Sequence, residues 1–170
     1  MKKLLSLFII ATAFTSCNTS VESEKIAGKW LLDDSRFEKG YMAGDQKDYD
    51  LVKTFLDAYE NMDPQTMVDL SAETVKFHPA DIGGIFDVDM TNTDFIVERQ
   101  SNWDSISRDY IFIMPLKMED SKSRVVTTAF TETRYVKDGT IDSFNFYERL
   151  YINEQDQIIR VVQYGRPPND

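Results

Sequence analysis

The chain has 170 residues, with 19 Lys and Arg against 29 Asp and Glu, for a formal net charge of −10. A field of that sign repels phosphate backbones and anionic headgroups, which argues against nucleic acid as a partner and against a basic membrane-binding face. There is one cysteine, so no internal disulfide is open to the chain and the fold must rest on an apolar core.

Met1-Lys2-Lys3 is a short positive start, and Leu4 to Phe14 is apolar except for Ser6 and Thr12. That run is too short to span a bilayer, which takes ~20 residues, and it has the order of a secretory signal. It ends in Phe14-Thr15-Ser16-Cys17, which resembles the lipobox of bacterial lipoproteins. The resemblance implies that residues 1–16 are a removable signal and that Cys17 is acylated and becomes the mature N-terminus. An ordinary secreted protein cut near Ser16 is the plainer alternative. Asn18 is similar to a sorting signal for the outer membrane. Without Lys2 and Lys3 the count is 17 basic against 29 acidic residues, near −12. About 120 residues follow the anchor region, enough for one domain with a sizeable core.

Residues 18–26 are polar and read as a tether. Gly28-Lys29-Trp30 opens a strand or belongs to an extension, and Asp33 to Tyr41 is a turn or loop; residues 17–47 are taken together as an extension ahead of the domain. From Asp48 the pattern sharpens. Leu51, Val52, Phe55, Leu56 and Tyr59 make one wide apolar helix face, with Lys53, Asp57 and Glu60 toward water. Asp63-Pro64 starts a second helix, Asp as N-cap and Pro at the first helical position. Thr74 to His78 alternates like a strand and stops at Pro79, and a loop is expected from Asp81 to Asp89. A third helix begins near Asn92-Thr93-Asp94 and is expected to carry Phe95, Ile96, Arg99 and Trp103 on one side. Strands then follow over Tyr110–Met118, Arg124–Val136, Thr140–Asn153 and Ile158–Tyr164, with a hairpin turn at Lys137-Asp138-Gly139. Residues 167–170 are a tail. Helices ahead of a mostly antiparallel meander make an α+β domain over 48–166. Segments apolar on both sides predict that both sheet faces are covered.

The stretch Asp50-Leu-Val-Lys-Thr-Phe-Leu-Asp-Ala-Tyr59, then Asp63, Val68-Asp-Leu70 and Val75-Lys-Phe-His-Pro79, resembles the opening of the nuclear-transport-factor-2-like superfamily. That superfamily includes SnoaL-type polyketide cyclases and ketosteroid isomerase. Phe146-Tyr-Glu-Arg149 and Ile158-Ile-Arg-Val-Val-Gln-Tyr164 are similar to its last hairpin. The resemblance implies a cone-shaped, cystatin-like α+β fold, a curved sheet with helices packed on its concave face. It is nearest to lipid-anchored members of unassigned function.

Two residues are candidates for chemistry. The resemblance places His78, the only histidine, where the isomerase pattern sets its base beside a proline. It is read as a base, as a hydrogen-bond donor, or as a strand-end residue without a role. Glu148 aligns with the carboxylic acid that helps hold an oxyanion. By alternation it shares a face with Phe144, Phe146, Leu150 and Ile152, where a carboxyl must find a partner or shift its pKa upward. A structural hydrogen bond, or a salt bridge to Arg149, Arg134 or Arg160, is the structural alternative. Phe55 stands where the isomerase pattern has its tyrosine, which argues against isomerase chemistry.

Tyr59, Trp103, Phe112, Phe146 and Tyr164 are candidate ligand-binding residues, with Met114 and Phe130 beside them; core packing is the alternative for each. Asp87, Asp89 and Asp94 lack the spacing of a calcium loop and read as a solvated acidic loop, so no metal and no cofactor is expected. Gly28-Lys29-Trp30 resembles the Gly-x-Trp opening of lipocalins, and the helices over 50–71 argue against that barrel. The leading functional expectation is a lipid-anchored binding module for a small apolar ligand or a partner protein, with a homodimer as a further expectation. The alternative is a SnoaL- or isomerase-like enzyme using His78 and Glu148 for proton transfer.

Overall fold

The structure is a computed structural model and describes residues 25–80, 82–122 and 124–167. The signal segment, Cys17 and Asn18 lie outside the described residues. Two short strands come first, β1 (Gly28–Lys29) and β2 (Gly40–Ala43). They pair with each other, and β2 pairs with the long fifth strand, so residues expected as an extension join the sheet.

Helix α1 (Gln46–Glu60) has neither Gly nor Pro in its interior and buries Val52, Phe55, Leu56 and Ala58 on one side. Its first turn holds Asp48, an acid placed to suit the helix dipole. Helix α2 (Pro64–Asp69) starts as expected: the Asp63 carboxylate accepts from the Thr66 main-chain N–H at 3.2 Å, and Pro64 needs no partner for a missing N–H. Strand β3 (Ser71–His78) follows. The expected loop after it contains β4 (Phe86–Asp89), antiparallel to β3 through Thr74–Asp89 to Phe77–Phe86. Helix α3 (Asp94–Gln100) ends before Trp103, which instead opens strand β5 (Trp103–Met118). Strands β6 (Arg124–Val136), β7 (Ile141–Ile152) and β8 (Ile158–Arg166) complete the meander. The β6–β7 turn holds Gly139 at φ +91°, a conformation that favours glycine there.

Among the described residues, eight strands form one curved, unclosed sheet in the order β1-β2-β5-β6-β7-β8-β3-β4. Only β3 and β8 run parallel; the other pairings are antiparallel. The concave face carries Val126, Leu150 and Val161, and the helices supply Val52, Leu56, Met67 and Ile96 to the same core. One row across this face reads Thr128–Glu148–Gln163, and another reads Tyr110–Phe130–Phe146–Gly165. Gly165 is required in the second row: a Cβ there would stand 2.8 Å from the Phe146 ring. The expectation that both faces are covered holds only in part on the convex face, where Val125, Ala129 and Val162 are buried. Phe112, Met114, Tyr147 and Tyr164 stand exposed on it, because the helices all pack on the other side.

Candidate functional site

Strand alternation puts Glu148 on the concave side between Phe146 and Leu150, and its carboxyl is 2% exposed. Gln163 stands opposite on β8 and donates from Nε2 to Glu148 Oε1 at 2.5 Å. On the neighbouring strand β6, two rows further along the same face, is a second buried polar group. Glu132 on β6 is 1% exposed and accepts from two arginines. Arg108 reaches Glu132 Oε2 from Nε at 2.8 Å and from Nη2 at 2.6 Å, and Arg134 reaches Oε1 from Nε at 2.6 Å. Arg108 also donates from Nη1 to the Leu56 carbonyl at 3.3 Å, and its guanidinium lies between the rings of Tyr59 and Phe130 at 4.6 and 4.5 Å. Arg134 covers Trp103 at 4.4 Å. Trp103 meets Tyr59 edge-on at 6.4 Å. Gln100 ties the helices together by donating to the Tyr59 carbonyl at 2.8 Å.

Between helices and sheet lies a cavity of about 70 Å³. Its apolar lining includes Phe55, Leu56, Met67, Val75, Phe95 and Val161, and its polar lining is Tyr59, Arg99, Arg108, Glu148 and Gln163. The volume is several times the ~10–15 Å³ that a single water requires.

The electrostatics follow from this placement. Burial raises the Glu148 pKa, against the opposing pull of Arg108 and the Gln163 hydrogen bond, with Glu132 adding to the rise. Burial and then the Glu132 charge push the Tyr59 phenol up to about 12, so it stays protonated. Burial works against the Arg108 cation, but Glu132 and Glu148 outweigh it and the net shift is upward.

The expected site residues separate. Tyr59 and Glu148 line the cavity. Phe146 is buried on the same face, against Phe130 and Phe144. Trp103 sits one shell out, under Arg134. Phe112 and Tyr164 lie on the convex face in a ladder with Tyr147, at 6.2 and 6.4 Å between ring centroids, because the alternation that turns Glu148 inward turns Tyr147 and its neighbours outward. His78 does not line the cavity. Val75 and Phe77 do, so Lys76 and His78 face the other way. The His78 pKa is lowered by burial and then by Arg160 and Lys76. Of the structural alternatives for Glu148, the hydrogen bond is present, from Gln163, and the bridge is not: the neighbouring cations are Arg108 and Arg99, not Arg149, Arg134 or Arg160. Sequence reasoning missed Arg108, Glu132 and Gln163; counting by twos from Phe130 reaches Glu132. Among the described residues no group of three or more His, Cys, Asp or Glu is placed to hold a metal.

No family model and no curated protein matches the chain. Solved structures do. An NTF2-like protein from Anabaena variabilis superposes with a TM-score of 0.58 at 11% identity, over 75% of this chain and 96% of that one. The fold is NTF2-like. An NTF2-like protein of unknown function from Exiguobacterium gives a TM-score of 0.55 at 12% identity, over 68% and 98% of the two chains. A candidate SnoaL-like polyketide cyclase from Shewanella denitrificans gives 0.54 at 9%, over 72% and 92%. At these identities the NTF2-like likeness establishes the fold and says nothing of the activity.

Proposed function

We propose that the chain is a lipid-anchored domain of the bacterial outer membrane that binds a small, mostly apolar molecule inside its cone. Glu148 carries this reading. A carboxyl buried in a largely apolar wall costs stability unless something uses it, and here it borders open space instead of filling it. The apolar lining supplies the driving force for burying a small apolar group. The envelope address rests on the signal order of residues 1–16 with Cys17 and Asn18 behind it. No helix among the described residues is long and apolar enough to cross a membrane, so the acyl chains would do the anchoring.

The enzyme reading needs His78 and Glu148 at one ligand. They lie on opposite faces of the sheet, so this pair does not favour it. The test is a thermal-shift screen of small apolar molecules against the full chain in lipid nanodiscs. Hits are expected to raise the melting temperature, and their effect should change in Glu148→Gln. A folded chain that no small molecule shifts would overturn the reading.

A further inference from the structure

We infer that the loop between β1 and β2 docks the domain on a lipid surface, with Leu31, Leu32 and Phe37 dipping into the bilayer that holds Cys17. This rests on the lipid anchor proposed above and adds which side of the domain meets the membrane.

The loop pairs charges within itself and leaves its apolar residues outside. Asp34 Oδ1 accepts from the Arg36 main-chain N–H at 2.8 Å, and Arg36 Nη2 reaches Asp34 Oδ2 at 2.6 Å. The Arg36 guanidinium lies over the Trp30 ring at 3.9 Å. Leu31, Leu32 and Phe37 are between 51% and 76% exposed. Leu31 follows Trp30 and Phe37 follows Arg36, so that stack brings the apolar residues to one tip. The backbone is closed beneath them. Trp30 donates to the Lys39 carbonyl at 3.0 Å and accepts from the Glu38 main-chain N–H at 2.8 Å, and the Phe37 N–H reaches the Asp34 carbonyl at 3.0 Å. One exposed leucine needs no explanation, but a cluster of large apolar groups on a shaped tip marks a contact surface.

The tether selects the occupant. Cys17 stands eight residues before Lys25. Eight residues span at most about 28 Å, less than the roughly 37 Å width of a domain of this size. The edge where the chain enters therefore stays next to the bilayer, and the β1–β2 hairpin is that edge. The hairpin rungs from Ala27–Tyr41 to Trp30–Lys39 cover only about 10 Å, so the tip lies within the tether's reach. Tethering keeps lipid at high local concentration, and a weak insertion suffices.

Charge permits the contact. Residues 25–44 carry Lys25, Lys29, Arg36 and Lys39 against Asp33, Asp34 and Glu38, in a chain of net charge −10. Within a Debye length of the surface, about 8 Å, the tip escapes the repulsion from anionic headgroups that the rest of the chain meets. A second apolar loop, with Ile82, Ile85 and Phe86 exposed, adjoins β4 at the opposite end of the strand order. It has no tether beside it and serves as the reference.

The test uses the full chain recovered from membranes, its acylation checked by mass, in vesicles of phosphatidylethanolamine and phosphatidylglycerol. Acylation of Cys17 leaves no other thiol, so Ser35→Cys takes a single nitrobenzoxadiazole label at the tip and Gly83→Cys takes one in the reference loop. The tip label should emit blue-shifted and be quenched by doxyl-labelled lipid, and the reference label should do neither. Adding Leu31→Ser, Leu32→Ser and Phe37→Ser should abolish both signals at the tip. That variant should still float with the vesicles and melt as the parent does, because the three residues are exposed. A tip label that reads as water in a floating protein would overturn the docking and leave the anchor standing. Equal quenching of the reference label would do the same. So would a tip label that shifts with protein density and escapes doxyl lipid, which would assign the tip to a second copy. A chain that carries no acyl group, or does not float, would overturn both readings.

Discussion

Glu148 and Gln163 face each other across β7 and β8, and the amide of one donates to the buried carboxyl of the other at 2.5 Å. That bond satisfies one oxygen and does not undo burial, so the Glu148 pKa remains raised. A carboxyl that holds its proton more tightly folded than unfolded stabilises the fold fully below its unfolded value, and the contribution is lost as pH rises through the folded value. The parent should therefore lose stability relative to Glu148→Gln as pH rises above about 4.5. Thermal melts of both across that range measure the difference. A gap in melting temperature that stays constant with pH would contradict a raised Glu148.

Glu132 has the opposite character, because two arginines depend on it. Glu132→Ala leaves the Arg108 and Arg134 guanidiniums without their shared counter-charge, both of them nearly buried. The expected cost is about 3–5 kcal/mol in urea unfolding. Asp57→Ala is the control. It breaks the half-exposed pair with Lys53, where about 0.5 kcal/mol or less is expected. Similar losses in the two variants would refute the buried network.

His78 is the third case. It sits on the sheet face away from the cavity, next to Lys76, which pairs with Asp87 at 2.9 Å. His78→Gln should leave ligand binding intact and shift stability by only about 0.5 kcal/mol. A loss of binding without a loss of folding would return His78 to the site.

The reason His78 misled lies in what a strand pattern reveals. Alternation gives two faces, and the sequence does not label which of them holds His78 until Val75 and Phe77 are known to be inside. Where alternation was regular, as over Arg124–Val136, the strand was legible to the residue. The start of β5 was not, because Trp103 falls eight positions after Phe95 and so fits a helical face equally well. Strand β4 hid because it is four residues long and buries only Val88. Glu148 was legible as a buried acid because apolar residues flank it at every second position. Its electrostatic neighbour was not, because Arg108 comes from a strand whose pairing with β6 fixes the register only in three dimensions.

Cys17 is tested by its location in the cell. The apolar run before it and the lack of any other cysteine motivate the anchor. Cys17→Ser should move the protein from the membrane fraction to the soluble periplasmic fraction. A variant that still sediments with membranes at an unchanged mass would remove the lipoprotein reading.

The cavity itself separates ligand room from a packing fault. Val161 lies on its wall and is nearly buried, and a β-branched residue suits its place in β8. Val161→Ile adds one methyl group to a space of about 70 Å³. Filling empty space should stabilise the fold, by at most about 0.8 kcal/mol for one methylene. In a packing fault that gain is the only consequence. In a binding cavity the added methyl also competes with the ligand, so the affinity for a hit of the thermal-shift screen should fall while the melting temperature of the free protein rises. The two readouts move in opposite directions only if the space serves a ligand. Titration calorimetry beside a thermal melt of the same sample measures both. A Val161→Ile protein that melts higher and binds the same hit as the parent does would place the ligand elsewhere.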